Sequence, residues 1–190
     1  MAMNFEELDG VTRSYMLKEF EAEEAALQKP YRGRGLSEVG RTSFPDLMRE
    51  AIRQGTEETL IAALLKPQFW NANEIYTRNG IQHTRPLKVQ QAAERLGLTE
   101  FNTWYVRGLA KRLIDEGVAE CQVYRAAPPK WEPAECSKHE NQVYSVRQLY
   151  DAHRARYWPE PGNPEAFSIP AGPSCHHTIR RVPKTNQNIQ

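Results

Sequence analysis

Apolar residues recur at helical spacing along the first two-thirds of the chain. In residues 4–28 one apolar stripe runs beside a crowd of glutamates. The stripe consists of Phe5, Leu8, Val11, Tyr15, Met16, Phe20 and Leu27. It predicts an acidic amphipathic helix that either packs on its own domain or docks its apolar face on a partner. Residues 31–42 contain several glycines and predict a linker.

Two more helical stretches follow the linker. Residues 43–66 predict one or two helices, with Ser43 as the N-cap and an interruption at Gly55. Residues 88–117 predict two helices, because Gly97 separates one apolar stripe from the next.

A β-hairpin is predicted between these helical stretches. Residues 74–78 and 81–85 are β-prone and flank Asn79-Gly80. Asn-Gly favours a two-residue type I′ turn, because both turn positions need positive φ. Such a basic hairpin could contact a phosphate backbone or a neighbouring subunit, or it could be a plain surface hairpin.

The last third of the chain predicts short strands joined by long loops. Residues 118–124, 142–146 and 178–182 are β-prone, and residues 147–157 predict a short basic helix. Residues 158–174 are rich in proline and glycine. Without a cross-link, the proline- and glycine-rich stretch is not expected to stay ordered.

Composition and charge exclude little. The chain has 190 residues with a net charge of +1 and 39% hydrophobic residues. Residues 1–60 carry 12 acidic and 8 basic side chains, and residues 121–190 carry 6 and 9, a gradient too mild to indicate nucleic acid by itself. We expect no membrane span and no secretory signal peptide, and three cysteines in a chain of this length suit a reducing compartment.

Cysteine and histidine concentrate in two short clusters. The first is Cys136-Ser137-Lys138-His139, and the second, 35 residues later, is Cys175-His176-His177. On an extended segment, Cys175 and His177 project to the same side. We therefore predict a tetrahedral zinc site with the ligands Cys136, His139, Cys175 and His177, with His176 as an alternative to His177. Ordinary thiols and surface histidines, or a Cys136–Cys175 disulfide, remain open as other interpretations.

Together these patterns predict an α+β protein: a mostly helical N-terminal two-thirds with a hairpin, and a small loop-rich β part stapled by zinc. The predicted division has five parts. They are an acidic docking helix (1–30), a linker (31–42), a helical domain with the hairpin 74–85 (43–125), a zinc-binding module (126–182) and a flexible tail (183–190).

Several motifs in residues 88–182 also match a known family pattern. They are Ala92-Ala93-Glu94-Arg95, Thr99-Glu100, Asp115-Glu116-Gly117-Val118, Cys136-x-x-His139 with Val143-Tyr144, and Gly172-Pro173-Ser174-Cys175-His176-His177. This series resembles the phage head-morphogenesis or minor capsid proteins of the Mu F-like type. In that family the second residue of each metal pair is cysteine, where this chain has His139 and His177, and Gly172 stands where the family has histidine.

The resemblance implies a structural virion protein near the portal vertex, without catalytic residues. Its expected partners are portal or capsid subunits in a multi-subunit assembly, with DNA as a further contact of the basic C-terminal residues. We expect it in the virion or in the cytoplasm of the bacterial host.

Two alternative functions arise from other motifs. Residues 90–99 and 109–118 resemble a helix-turn-helix that leads into a wing, which would make the chain a DNA-binding regulator with a structural zinc module. A zinc-dependent nuclease, with His176 as general base, is the enzymatic alternative.

Overall fold

A computed structural model describes residues 2–128, 137–173 and 175–183. The predicted ligand Cys136 and nearly all of the predicted tail lie outside these residues. The described part is α+β, as predicted, with five helices, a β-hairpin and a three-stranded sheet. The helices are α1 (Gly10–Ala26), α2 (Glu38–Gln54), α3 (Glu57–Leu64), α4 (Val89–Asp115) and α5 (Val146–Asp151). None of them is both long and apolar enough to cross a membrane.

The start of α2 differs from the prediction. The helix begins at Glu38 rather than after Ser43, because the side chain of Ser37 accepts a hydrogen bond from the backbone N–H of Gly40 and caps the helix. Pro45 therefore lies inside α2 and removes one interior hydrogen bond, instead of marking the first turn. The predicted interruption at Gly55 is confirmed, since α2 ends there and α3 follows with Thr56 as its cap.

The predicted break at Gly97 is wrong, because α4 runs through it without interruption. A Cβ atom at Gly97 would lie 2.6 Å from Cγ1 of Ile61 in α3. Gly108 lies equally close to α1, because a Cβ atom there would be 2.6 Å from the backbone nitrogen of Met16. The two glycines therefore allow α3 and α1 to approach α4 closely.

The strands form two separate antiparallel sheets. β1 (Asn73–Arg78) and β2 (Ile81–Pro86) make the hairpin, and its turn residues Asn79 and Gly80 have φ of 52° and 76°, as a type I′ turn requires. The second sheet has the order β4-β3-β5, formed by β3 (Glu120–Arg125), β4 (Val143–Ser145) and β5 (His177–Arg181). These strands match the predicted ones to within two residues at each end.

Within the described residues, one hydrophobic core joins α1, the predicted linker, the helical domain and the C-terminal sheet, and leaves out the strands of the hairpin. Met16 and Phe20 of α1 are buried against α4, where the ring of Phe20 meets Trp104 edge-on at 5.1 Å. The same cluster continues to Val123 in β3 and Ile179 in β5. The apolar face of α1 is thus partly occupied within the chain, since Met16 and Phe20 are buried while Val11 and Leu27 stay exposed. The C-terminal part shares its core with the helices.

Candidate metal site and polar contacts

The structure brings Cys175 and His177 together at the start of β5. The Sγ atom of Cys175 lies 3.7 Å from Nδ1 of His177, and both residues are buried. Two ligands on one tetrahedral zinc ion, with Zn–S and Zn–N bonds of about 2.3 and about 2.1 Å, would be about 3.6 Å apart. The two atoms therefore have the separation that a shared zinc ion requires.

Glu140, which is paired with Arg125, orients the His177 ring through Nε2, the nitrogen that does not face Cys175. Nε2 of His177 lies 3.4 Å from a carboxylate oxygen of Glu140, and the Arg125 guanidinium lies 2.8 Å from the same oxygen. Histidines that bind metals commonly donate their second ring N–H to a carboxylate, which fixes both tautomer and ring angle. Asn102 of α4 anchors the backbone by donating a 2.8 Å hydrogen bond to the His177 carbonyl.

The charge state of this group suits metal binding. Burial lowers the pKa of His177, although Glu140 acts in the opposite direction. The hydrogen bond from Arg125 lowers the pKa of Glu140. At neutral pH the imidazole is therefore neutral and the carboxylate is charged, and neutral imidazole is the form that binds a metal.

His139 lies on the loop before β4 in an aromatic setting. Its Nδ1 is hydrogen-bonded to the Tyr144 hydroxyl at 2.6 Å, and its ring lies 4.8 Å from that of Phe167. Burial lowers its pKa, and His177 is close enough to contribute to that shift. With Nδ1 engaged, Nε2 is the nitrogen through which His139 would bind a metal.

The four predicted ligands are not assembled within the described residues. No group of three or more His, Cys, Asp and Glu side chains there is placed to hold a metal ion. His139 stays apart from the Cys175–His177 pair, and Cys136 lies outside the described part. What the structure brings together is two of the four predicted ligands, Cys175 and His177, with the Glu140 carboxylate beside the imidazole.

His176 points away from that pair. Its Nδ1 is hydrogen-bonded to the carbonyl of Pro128 at 3.1 Å. Neighbouring residues on an extended segment project to opposite sides, so Cys175 faces His177 and not His176. The structure therefore favours His177 over His176 as the ligand, and gives no support to His176 as a general base beside the metal.

A buried ionic cluster, not predicted from the sequence, fastens the residues directly after α5 to α1 and α4. The Arg154 guanidinium pairs with Glu100 of α4 and, at 2.7 Å, with Glu23 of α1. Burial raises the pKa of Glu100, while the adjacent Arg154 opposes that shift. Sequence spacing could not have revealed this cluster, because its members are 54 and 131 residues apart.

The hairpin is the most exposed regular element in the described part of the chain. Every residue of β2 is exposed, and only Glu74 of β1 is partly covered. Tyr76 stacks on His83 across the strands at 5.3 Å, and the Arg85 guanidinium lies 4.9 Å from the centre of the Tyr76 ring. Arg78 and Ile81 face each other beside the turn, with Ile81 62% exposed.

No protein-family model, curated protein or solved structure matches this chain.

Proposed function

We propose that the chain is a non-catalytic structural protein whose C-terminal part is stapled by zinc. Within that class we propose a minor capsid or head-morphogenesis protein of a phage or phage-like particle. The observation that supports the zinc site is the 3.7 Å approach of Cys175 Sγ to His177 Nδ1, with Glu140 behind the imidazole. The phage assignment rests on the motifs that resemble the Mu F-like family.

Cys136, His139, Cys175 and His177 would hold the ion. Four protein ligands leave no open position for a catalytic water, so zinc would supply cross-linking and not Lewis-acid chemistry. The Cys175–His177 pair is already buried and oriented, and Asn102 fixes its backbone to α4. Binding would then mainly recruit the loop that carries Cys136 and His139.

A zinc cross-link at this place would stabilise a part of the chain that has little regular structure. Strand β4 has three residues and α5 has six, and the segment between α5 and β5 is largely irregular. Such loops lose much conformational entropy on folding, and structural zinc contributes on the order of 10 kcal/mol to the folding of small modules. Zinc would offset the conformational entropy that this part of the chain loses on folding.

Portal or capsid subunits would bind to a surface other than the apolar face of α1. Met16 and Phe20 of that face are buried against α4 and, of the predicted stripe, Val11 and Leu27 are exposed, so a docking role for this helix would have to use mainly its acidic side. The helix-turn-helix alternative has no supporting observation. Its turn lies inside the continuous helix α4, and Phe101, Trp104 and Tyr105, between the turn and the proposed recognition helix 109–118, are buried.

The zinc proposal is tested by elemental mass spectrometry of the purified chain and two neighbouring variants. We expect about one zinc per chain in the wild type, none in His177→Gln, and an unchanged content in the control His176→Gln. A chelator should lower the melting temperature of the wild type and of the control, but not that of His177→Gln. Equal zinc content in the two variants, or no zinc in the wild type, would overturn the assignment.

The virion assignment needs a separate test. Phage-like particles can be purified from induced cultures of the bacterial host on a density gradient and analysed by peptide mass spectrometry. We expect the chain to comigrate with portal protein. Its presence in the lysate but not in the particles would refute the assignment and leave the zinc result unaffected.

A further inference from the structure

The hairpin β1–β2 projects from the fold as an arm without a packing partner in the described part of the chain. Neither strand joins the three-stranded sheet, and both isoleucines are largely exposed, Ile75 by 70% and Ile81 by 62%. A two-stranded hairpin is only marginally stable by itself in water. The two isoleucines lie on opposite faces of the arm, because Ile75 pairs with Thr84 and Ile81 with Arg78, so Ile81 is the exposed apolar side chain of the face that carries Arg78.

One face of the arm is basic and aromatic. Residues paired across the strands lie on the same face, so one side carries Tyr76 with His83 and Arg78 with Ile81, and Glu74 with Arg85 at the base. Glu74 is held by Arg85 at 2.7 Å and by Arg95 of α4 at 3.4 Å.

The positive charge continues to the foot of the arm. Between positions 73 and 95 four basic side chains, Arg78, Arg85, Lys88 and Arg95, oppose the two carboxylates Glu74 and Glu94. Lys88, the N-cap residue of α4, makes no side-chain cap, and it lines a surface concavity together with the exposed Gln90 and the carboxylate Glu94. Four basic side chains against two carboxylates leave a surplus of two positive charges, which favours contact with a phosphate backbone.

We propose that this arm binds duplex DNA, with the tip in the minor groove and the base on the phosphate backbone. A two-stranded ribbon can enter a DNA groove, and architectural proteins insert an apolar side chain between base steps beside a groove-bound arginine. Arg78 and Ile81, opposite each other at the tip, supply that pair of side chains.

A polyanion fits the arm better than a further β-strand does. Strand edges that pair with other chains are long, flat and free of charge and proline. Here the two strands carry Arg78, Arg85 and Pro86, and the hairpin has six residues on each side. Pairing with a second copy of the chain is therefore the alternative outcome of the test.

The test is fluorescence anisotropy with a labelled duplex of about 30 base pairs, at salt concentrations from about 50 to about 200 mM. It uses the full chain as purified. We expect Arg78→Ala to weaken binding roughly tenfold and to lower the slope of log K against log salt by about 1. The matched control is Arg53→Ala, which removes an exposed arginine from α2, away from the arm, and should leave both quantities unchanged.

Ile81→Ser tests separately whether the Ile81 side chain inserts between base steps. It removes no charge, so the salt slope should stay the same while the duplex bends less, as measured by energy transfer between dyes at its two ends. No binding by the wild type at about 50 mM salt, or equal losses in Arg78→Ala and Arg53→Ala, would overturn the proposal. So would a concentration-dependent dimer, seen by light scattering and lost in Ile81→Ser, because the arm would then pair with its own copy. None of these outcomes alters the zinc content, so this inference and the proposed function can fail separately.

Discussion

Removing the charge of Arg154 should cost more stability than any change at the surface. The side chain is 1% exposed and pairs with Glu100, which is equally buried, and with Glu23. In Arg154→Met the stem still packs against Trp104, but the Glu100 carboxylate loses its salt bridge and keeps only the Tyr157 hydroxyl and the weaker influence of Arg32. Breaking a buried pair in this way typically costs about 3–5 kcal/mol. Since domains are stable by about 5–15 kcal/mol, the variant should be close to unfolding at moderate denaturant.

A second substitution separates the lost pair from the lost packing. In Arg154→Met/Glu100→Gln both charges are absent, and replacing a whole buried pair is often nearly neutral. We expect the double variant to regain at least about 2 kcal/mol relative to Arg154→Met, a coupling typical of groups in direct contact. The matched control is Arg156→Met, two residues away and only half-buried, which should cost about 0.5 kcal/mol or less.

Urea unfolding followed by tryptophan fluorescence measures these free energies, and Trp104, 4.7 Å from the Arg154 guanidinium, reports on the site. The pH dependence gives an independent check. Burial raises the pKa of Glu100, and loss of Arg154 should raise it further. A carboxyl group with a raised folded pKa binds a proton more tightly when folded, so Arg154→Met should gain stability as the pH falls towards about 5. A cost below about 1 kcal/mol, or a double variant no more stable than the single one, would refute this reasoning.

Two further predictions concern α1. Asp9 caps this helix and pairs with Arg112, and the hydrogen bond from Thr12 lowers its pKa. Asp9→Ala should therefore lower the free energy of unfolding by about 1 kcal/mol in urea at neutral pH. The difference from the wild type should disappear as the pH falls through the depressed folded pKa of Asp9. A difference that persists at acidic pH would contradict this. Gly108→Ala should lower the melting temperature, with a cost of about 1–3 kcal/mol, because the new Cβ meets the backbone of Met16, whereas Gly10→Ala has open space and should not; equal melting temperatures would argue against the close approach of α1 to α4.

Local chemistry predicted several elements well. Asn79-Gly80 fixed the hairpin because its turn needs two positive φ values, and both residues have them. Residues 118–124 are β-prone and form β3, in which the alternate residues Cys121 and Val123 are both fully buried. Burial also raises the pKa of the Cys121 thiol to about 12, in keeping with an inert buried thiol.

The errors arose where a residue type serves two purposes. The sequence predicts a helix break at Gly97, but the structure shows that this glycine lets α3 approach α4. Such a long-range contact is not visible in the local sequence. The Cys175–His177 pair followed from spacing alone, since residues two apart on a strand share a side. Glu140 did not, because its bond to His177 depends on how a loop 37 residues away folds back.

Three polar residues in the buried middle of α4 explain how the loop-rich C-terminal part keeps its place. Thr99 donates to the carbonyl of Pro173 at 3.1 Å, Glu100 pairs with Arg154, and Asn102 donates to the carbonyl of His177. These side chains disrupt the apolar pattern of the helix, yet each one satisfies a group from residues 154–177. The Cys175–His177 pair of the proposed zinc site is therefore positioned by α4 before any metal binds. It follows that losing the metal should destabilise the whole chain in a single unfolding transition, rather than unfold the C-terminal part alone, because that part shares its core and its anchors with the helices.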